Sequence, residues 1–144
     1  MPTLTIIRGL PGSGKSTWAR TQPGVRVNRD DLRAMLRPAP WPHGDRAAED
    51  MCTVAQDAQI AGLLTAGYDV ICDDTNLDHG VVTALCELAE RCGGVVRMVD
   101  MTSVPLGTCI ARDANRPEGQ RLGADRIRAM WARHVTTEYD RMGA

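Results

Sequence analysis

One segment constrains the fold of this 144-residue chain more than any other, the run GLPGSGKS at residues 9–16. It matches the Gly-x-x-x-x-Gly-Lys-Ser pattern of a phosphate-binding loop, in which backbone N–H groups surround a polyphosphate. The apolar run at residues 3–7 predicts a preceding strand, and residues 16–20 predict a following helix whose N-terminal dipole faces the anion. Strand, loop and helix in this order predict a nucleoside triphosphate site.

The lysine of this motif, Lys15, is the only lysine in the sequence, whereas the chain has 16 arginines. A compact ammonium with three rotatable donors suits the β- and γ-phosphates better than a planar guanidinium does. The hydroxyl of Ser16 is expected to ligate Mg²⁺. The pattern therefore predicts that ATP contacts a set of loop and helix residues: Gly12, Ser13, Gly14, Lys15, Ser16 and Thr17.

Length and composition indicate one globular domain, residues 1–144, with a formal net charge of -1. The five cysteines have no C-x-x-C spacing, so neither a zinc site nor a disulfide framework is indicated, and reduced thiols fit the cytosol of a bacterium or phage host. No apolar run approaches the roughly 20 residues of a membrane span, so no membrane association is expected. The charge balance argues against a protein that coats long nucleic acid, and the sequence indicates no protein partner.

Apolar strand segments alternate with helical segments, which predicts an α/β fold with a parallel sheet of about four strands flanked by helices. The predicted strands are residues 3–7, 25–28, 69–73 and 95–100. The later helices are predicted at residues 30–36, 45–66, 81–92, 106–115 and 124–139. In the long helix, the spacing favours a buried face made of Met51, Val54, Ala55, Ala58 and Ala61.

Two classes of P-loop protein, the GTPases and the motor ATPases, have sequence elements that this chain lacks. Guanine-specific GTPases use an Asn-Lys-x-Asp motif, which cannot occur here because the single lysine belongs to the phosphate-binding loop. Motor ATPases carry further sensor elements, for which 144 residues leave little room. A small P-loop kinase remains as the expected class.

Polar residues follow the second and third predicted strands, at the edge where a parallel sheet binds its ligands. After the second strand, Asp30 can accept the proton of an attacking hydroxyl and Arg33 can hold an acceptor phosphate. An acid pair that caps a helix, beside a solvated arginine, explains the same residues equally well. After the third strand, the acids Asp73 and Asp74 lie where such proteins organise Mg²⁺, and an Asx turn is the alternative.

Basic residues are dense late in the chain, where residues 112–128 predict an arginine-rich lid over the phosphates. Arg112 and Arg116 are four residues apart, which predicts that they share one face of a helix. An arginine on the transferring phosphoryl group can accelerate transfer by about 10³-fold or more. The alternative is a solvated basic face.

Together these motifs resemble the 5′-kinase domain of bacteriophage-type polynucleotide kinase, from residue 4 to about residue 131. The shared elements are GLPGSGKSTWAR, V-N-R-D-D-L-R, D-T-N-L and R-x-x-x-R, in that order. The resemblance implies that Asp30 is the general base on the acceptor 5′-hydroxyl and that Arg33 holds the acceptor's 3′-side phosphate. It also implies that Asp74 is an essential acid at the metal, and that Arg112 and Arg116 contact the donor phosphates.

Two further residues are assigned to the acceptor: Asn76 of the D-T-N-L motif, and Trp41, in a proline-rich loop, as a platform for base stacking. None of the three histidines is assigned to catalysis. The lid departs from the family pattern at Leu122-Gly123.

We therefore expect an ATP- and Mg²⁺-dependent kinase for the 5′-hydroxyl ends of DNA or RNA, without a phosphatase domain in this chain. The first alternative is a P-loop kinase for another hydroxyl, on a modified phage base, a nucleoside or a small metabolite. The second is an ATP-binding module that transfers no phosphate.

Overall fold

The computed structural model describes residues 1–36 and 45–136, which form a four-stranded parallel sheet with helices on both faces. The strands are β1 (Thr3–Arg8), β2 (Val25–Val27), β3 (Val70–Asp73) and β4 (Val95–Asp100). The helices are α1 (Lys15–Ala19), α2 (Arg29–Leu36), α3 (Arg46–Thr65), α4 (His79–Arg91), α5 (Leu106–Ala114) and α6 (Ala124–Met130). A 3₁₀ turn (Glu118–Gln120) precedes α6 and a π-helical turn (Trp131–Val135) follows it. This architecture confirms the predicted fold class.

The strand order is β2-β3-β1-β4, so β1 lies in the middle of the sheet between β3 and β4. In the parallel register, Ile7 of β1 is opposite Asp73 of β3, and Arg8 is opposite Asp100 of β4. All four strands therefore end at the same edge. The loop that leaves β1 emerges there, directly beside the acids that end β3.

Alternation along β1 divides the core between the two faces of the sheet. Leu4 and Ile6 are fully buried against α3 and α4 in the largest apolar cluster, which also contains Ile60 of α3. Ile7 points to the other face and packs in a smaller cluster with Ala19 of α1. A third cluster joins α5, α6 and the π-helical turn. The sheet is thus packed between apolar clusters on both faces, and the polar residues lie at the edge where the strands end.

Two of the helices begin with aspartate caps. The Asp45 side chain accepts a hydrogen bond from the backbone N–H of Ala48 at 3.2 Å, at the start of α3. The Asp78 side chain accepts one from the backbone N–H of Gly80 at 2.7 Å, at the start of α4. Each carboxylate satisfies an N–H that would otherwise have no partner within its helix and also complements the helix dipole.

The predicted buried face of α3 is wrong. Met51, Val54 and Ala58 are exposed, and Ala55 and Ala61 only flank the core. The side chains that face the sheet are one turn apart on a different stripe of the helix: Ala48, Cys52, Gln56, Ile60 and Leu64. The alanines are small and gave the sequence pattern little contrast between faces. The stripe includes a polar residue because Gln56 bonds to Asp74, a half-buried aspartate described below.

We predict that Ile60→Ala lowers the free energy of unfolding by about 2–5 kcal/mol, because Ile60 is completely buried and the mutation leaves a cavity. The matched control is Val54→Ala on the same helix, whose side chain is 70% exposed and should cost less than about 0.5 kcal/mol. Urea unfolding of the two variants measures both values. Equal costs for the two positions would contradict this placement of α3.

Candidate active site

The phosphate-binding loop joins β1 to α1 in a conformation that glycine adopts easily at two positions. Gly12 has a φ of 82° and Gly14 a φ of 95°, both in the left-handed region. A Cβ on Gly12 would lie 2.3 Å from the carbonyl oxygen of Cys109, so the loop rests directly against α5. Because of this contact, the arginines at the end of α5 lie near the donor site.

Lys15 is buried at the start of α1, where its Nζ donates a hydrogen bond to the carbonyl oxygen of Leu10 at 2.8 Å. Burial lowers the pKa of Lys15 from 10.5 to about 8, and the nearby carboxylate of Asp73 opposes this shift in part. The positive charge of Arg116 lowers the same pKa further. The structure therefore brings Lys15, Asp73 and Arg116 within electrostatic reach of one another.

The two acids at the end of β3 have different partners. Asp73 is 1% exposed, and its Oδ2 accepts a hydrogen bond from Arg26 Nε at 2.6 Å. Its buried Oδ1 has no hydrogen-bond partner within the described part of the chain. Asp74 instead accepts one bond from the backbone N–H of Arg29, at 2.9 Å, and another from Gln56 Nε2. Burial raises the pKa of Asp74, and these hydrogen bonds oppose the rise.

The Mg²⁺ ion bound to ATP is coordinated by few protein ligands, because phosphates and waters supply most of its oxygen ligands. The residues at this site fit such an ion, since Ser16 follows Lys15 and the unpaired Oδ1 of Asp73 is an anionic oxygen next to that lysine. Within residues 1–36 and 45–136, no cluster of three or more His, Cys, Asp or Glu side chains could hold a metal without the phosphates. Sequence reasoning chose Asp74 for the metal, which stays a prediction. The sequence named Asp73 only together with Asp74, as acids at a strand end near Mg²⁺, and the family resemblance then singled out Asp74.

Two of the four residues predicted to act on the acceptor, Asp30 and Arg33, are in direct contact at the start of α2. Arg33 Nη1 donates to Asp30 Oδ1 at 2.5 Å. Arg33 also pairs with Glu49 of α3 through two hydrogen bonds, each 2.8 Å long. The Asp30 side chain is 86% exposed, whereas that of Arg33 is only 26% exposed. A substrate hydroxyl can therefore reach the carboxylate while the guanidinium beside it is held by the protein.

Arg29 connects this acceptor side to Asp74, although sequence reasoning assigned it no role. Its guanidinium donates to Thr53 Oγ1 at 3.0 Å and to the carbonyl and carboxylate oxygens of Glu49 at 2.9 and 2.8 Å. Glu49, Thr53 and Gln56 lie on one face of α3 because they are four and three residues apart. The only sequence signal for this role was the place of Arg29 inside the V-N-R-D-D-L-R motif.

A cavity of about 430 Å³ opens beside this network. Arg33, Asp74 and Asn76 all line it, so the structure brings together three of the predicted residues. Its apolar lining comes from α4, α6 and the loop before α4: Leu77, Val81, Ala84, Leu85 and Met130. His134 of the π-helical turn also lines the cavity, whereas the sequence assigned none of the histidines to catalysis. The cavity has the size of a small-ligand site. Its lining is charged beside Arg33 and Asp74 and apolar beside α4 and α6.

Asn76 is held by the backbone around it. Its φ is 45°, and its Nδ2 donates to the carbonyl oxygen of Ile7 at 2.8 Å. Arg8 Nε donates in turn to the carbonyl oxygen of Asn76 at 2.9 Å. These bonds fasten the loop after β3 to the end of β1, and a contact of Asn76 with the acceptor stays a prediction. Trp41, predicted to stack on an acceptor base, lies outside the described residues.

The expectation that Arg112 and Arg116 share one helical face is wrong, because α5 ends at Ala114. Arg112 is in the last turn of α5, and its Nη1 donates to the carbonyl oxygen of Gly12 at 3.3 Å. Arg116 lies in the turn that follows the helix, close enough to Lys15 to lower its pKa. Both arginines are therefore near the phosphate-binding loop, one from the helix and one from the turn.

The turn that carries Arg116 is closed by Asp113, which is 2% exposed. The two carboxylate oxygens of Asp113 accept hydrogen bonds from the backbone N–H groups of Leu122 and Gly123, each at 3.0 Å. Asp113 thus satisfies two backbone donors that the chain reversal leaves without partners. The departure from the family pattern at Leu122-Gly123 falls at this anchoring point.

A family model described as an AAA domain (AAA_33) matches residues 4–136, nearly the whole chain. The chain belongs to this AAA-domain family. No curated protein matches the sequence. None of the helices that the structure describes in this AAA-domain protein is long and apolar enough to cross a membrane.

Solved structures also resemble this AAA-domain protein. A chain of the Pnkp1/Rnl/Hen1 RNA repair complex gives a TM-score of 0.81 at 26% identity, over 96% of this chain and 46% of that one. Kti12 from Chaetomium thermophilum, in complex with ADP-AlF3, gives 0.68 at 18% identity, over 91% and 79% of the two chains. The APS kinase CysC from Mycobacterium tuberculosis gives 0.59 at 18% identity, over 79% and 69%. The AAA-domain protein has a P-loop kinase fold, and it spans less than half the length of the RNA repair chain.

We predict that ATP binds more weakly as the pH rises above about 8, the pKa of Lys15 in the structure. The triphosphate stabilises the ammonium form, so binding is independent of this group below pH 8 and requires proton uptake above it. The dissociation constant should therefore rise by up to about tenfold per pH unit above pH 8. Calorimetry at several pH values, in two buffers of different ionisation enthalpy, measures the affinity and the proton uptake together.

The control for this prediction is Lys15→Arg, since a guanidinium stays charged throughout this pH range. Its ATP affinity should be lower than that of the wild type but flat between pH 7 and 10. A flat wild-type profile without proton uptake would contradict a lowered Lys15 pKa that is coupled to triphosphate binding.

Proposed function

We propose that this protein is an ATP-dependent polynucleotide 5′-hydroxyl kinase, which transfers the γ-phosphate to the 5′ ends of DNA or RNA. The observation that carries the proposal is the contact between Asp30 and Arg33 beside the cavity that Asp74 also lines. An exposed carboxylate next to a held guanidinium suits an acceptor that presents a hydroxyl close to a phosphate. The first nucleotide of a 5′-hydroxyl end has this chemistry.

The donor site in this proposal is the loop around Lys15. Its backbone N–H groups and the Lys15 ammonium bind the triphosphate, and Arg112 and Arg116 approach it from the side of α5. When bound through Ser16 and the Asp73 carboxylate, Mg²⁺ supplies charge neutralisation at the β- and γ-phosphates. Asp74, the acid that the family resemblance implies at the metal, lies at the acceptor side of the same edge, where hydrogen bonds from the Arg29 backbone and the Gln56 side chain hold it.

The donor site around Lys15 and the acceptor site at Asp30 together define the phosphoryl transfer step. The acceptor 5′-oxygen forms a bond to the γ-phosphorus while the bond from that phosphorus to the β,γ-bridging oxygen breaks, and ADP leaves. The proton of the hydroxyl passes to the Asp30 carboxylate. Lys15 and Arg116 stabilise the negative charge on the transferring group, so that most of the rate acceleration comes from positioning and electrostatics.

Similarity to a chain of an RNA repair complex, over 96% of this sequence at 26% identity, supports a nucleic acid acceptor. The alternative acceptor is a small metabolite or nucleoside, and the cavity volume of about 430 Å³ is compatible with one. The two acceptors differ in a way that Arg33 can test, since only an acceptor with a phosphate beside its hydroxyl uses that side chain.

The proposed function is tested by transfer of labelled γ-phosphate from ATP with Mg²⁺ to three acceptors in parallel. These are a 5′-hydroxyl oligonucleotide, a nucleoside 3′-monophosphate and the bare nucleoside. We expect label on the first two acceptors and little on the third, because the bare nucleoside has no phosphate for Arg33. Label on none of them, with ATP still bound, would reject a polynucleotide kinase and favour a different hydroxyl acceptor.

We predict that Asp30→Ala lowers turnover by about 10²- to 10⁴-fold, the usual contribution of a general base, without weakening ATP binding. The matched control is Asp31→Ala in the same turn of α2, which removes an equal charge and an exposed ion pair with Arg26. Single-turnover transfer and ATP titration measure the two effects. If Asp30→Ala keeps more than a few per cent of the wild-type rate, Asp30 is not the base.

A further inference from the structure

Glu49 lies outside every motif of the sequence, yet it contacts two arginines of the candidate site. We propose that Glu49 is a positioning residue, whose carboxylate holds the Arg33 guanidinium in the orientation that binds the acceptor phosphate. The inference rests on the proposed function, in which Arg33 contacts that phosphate. It adds a residue from α3 to a site that the motifs place on the phosphate-binding loop, α2, β3 and the lid.

The geometry of the pair fixes the guanidinium plane. Oε1 of Glu49 accepts from Arg33 Nε and Oε2 accepts from Arg33 Nη2, both at 2.8 Å, which is the parallel arrangement of a two-pronged arginine–carboxylate pair. Oε2 accepts a further bond from Arg29 Nη2 at 2.8 Å, so the carboxylate is itself held. With this edge of the guanidinium on Glu49, Nη1 reaches Asp30.

The direction of approach argues for positioning and against competition with the substrate. Glu49 contacts the Nε side of Arg33 from α3, whereas Asp30 contacts the Nη1 group. A phosphate next to a hydroxyl at Asp30 therefore approaches Arg33 from the Nη1 side and leaves the pair with Glu49 in place. Because the ion pair already restricts the long arginine side chain, less rotamer freedom is lost when the phosphate binds.

The charges of the cluster support the same role. The hydrogen bond from Arg33 lowers the pKa of Glu49, with a second contribution from Arg29, so Glu49 is ionised at neutral pH. The pKa of Arg33 is raised, chiefly by its hydrogen bonds to Glu49. A neutral amide at position 49 keeps nearly the same shape but offers one acceptor oxygen in place of two, and it cannot form the two-pronged pair.

The test compares two 5′-hydroxyl oligonucleotides that differ only at the first internucleotide linkage, a phosphodiester in one and a neutral methylphosphonate in the other. The readout is the ratio of their KM values in the wild type, in Glu49→Gln and in Asp50→Asn. Asp50 is an exposed neighbour on α3, so its substitution removes the same charge without touching the arginines. We expect a ratio of about ten or more in the wild type and in Asp50→Asn, and a ratio near one in Glu49→Gln, with the Kd of ATP changed less than twofold.

Two further variants separate positioning from a loss of stability. Glu49→Asp keeps the charge on a shorter side chain and should give an intermediate ratio. In an Arg33→Ala background, Glu49→Gln should have no additional effect on KM, because the group that it positions is gone. A purely structural role would instead raise KM for both oligonucleotides by the same factor in Glu49→Gln.

The remaining outcomes distinguish the positioning role of Glu49 from the proposed kinase function. A wild-type ratio that persists in Glu49→Gln overturns the positioning role alone and leaves the kinase intact. A lower KM for the phosphodiester substrate in Glu49→Gln also overturns it, since Glu49 would then compete with the acceptor. Absence of transfer to either oligonucleotide by the wild type overturns the proposed function, and the inference with it.

Discussion

The parallel pairing of β1 with β3 is the constraint on which the rest of the site depends. Its register places Ile7, two residues before the phosphate-binding loop, opposite Asp73. Bonds across the end of the sheet maintain this register, since the backbone N–H of Gly9 donates to the carbonyl oxygen of Thr75 at 3.0 Å and Arg8 binds the carbonyl oxygens of the next two residues. A slip of one residue would turn the acids at the end of β3 to the opposite faces and separate them from Lys15.

The adjacent acids Asp73 and Asp74 divide the edge of the sheet into two halves. Asp73 faces the donor half, where it pairs with Arg26 and acts electrostatically on Lys15. Asp74 is held by Arg29 and Gln56 on the side of α2 and α3, and its charge also acts on Lys15. Asp73 ends β3 and Asp74 begins the loop after it, and each carboxylate has its own hydrogen-bond partners, Arg26 for Asp73 and Arg29 with Gln56 for Asp74. In the proposed function, these two carboxylates therefore serve the donor and the acceptor from neighbouring positions.

The fold could be predicted from the sequence because two signals agree. Both the phosphate-binding loop and the alternation of apolar strand segments with helical segments indicate a parallel α/β fold. The sequence also placed Asp30 and Arg33 in one turn, where the structure brings them into contact. It failed where the outcome depends on long-range partners: Gln56 is on the buried face of α3 because it bonds to Asp74, and the contacts of Glu49 join residues 16 and 20 positions apart. Likewise, the four-residue spacing of Arg112 and Arg116 did not indicate that α5 ends at Ala114. Nor did it indicate that Asp113 closes the following turn.

In the proposed function, donor and acceptor meet at this one edge, so that the hydroxyl attacks the γ-phosphorus directly. The most direct measurement is the stereochemical course of transfer from ATP made chiral at the γ-phosphorus with oxygen isotopes. Direct in-line transfer inverts the configuration at phosphorus, so we expect inversion in the phosphorylated 5′ end. Retention would contradict it, because it requires two successive transfers through a phosphorylated protein side chain.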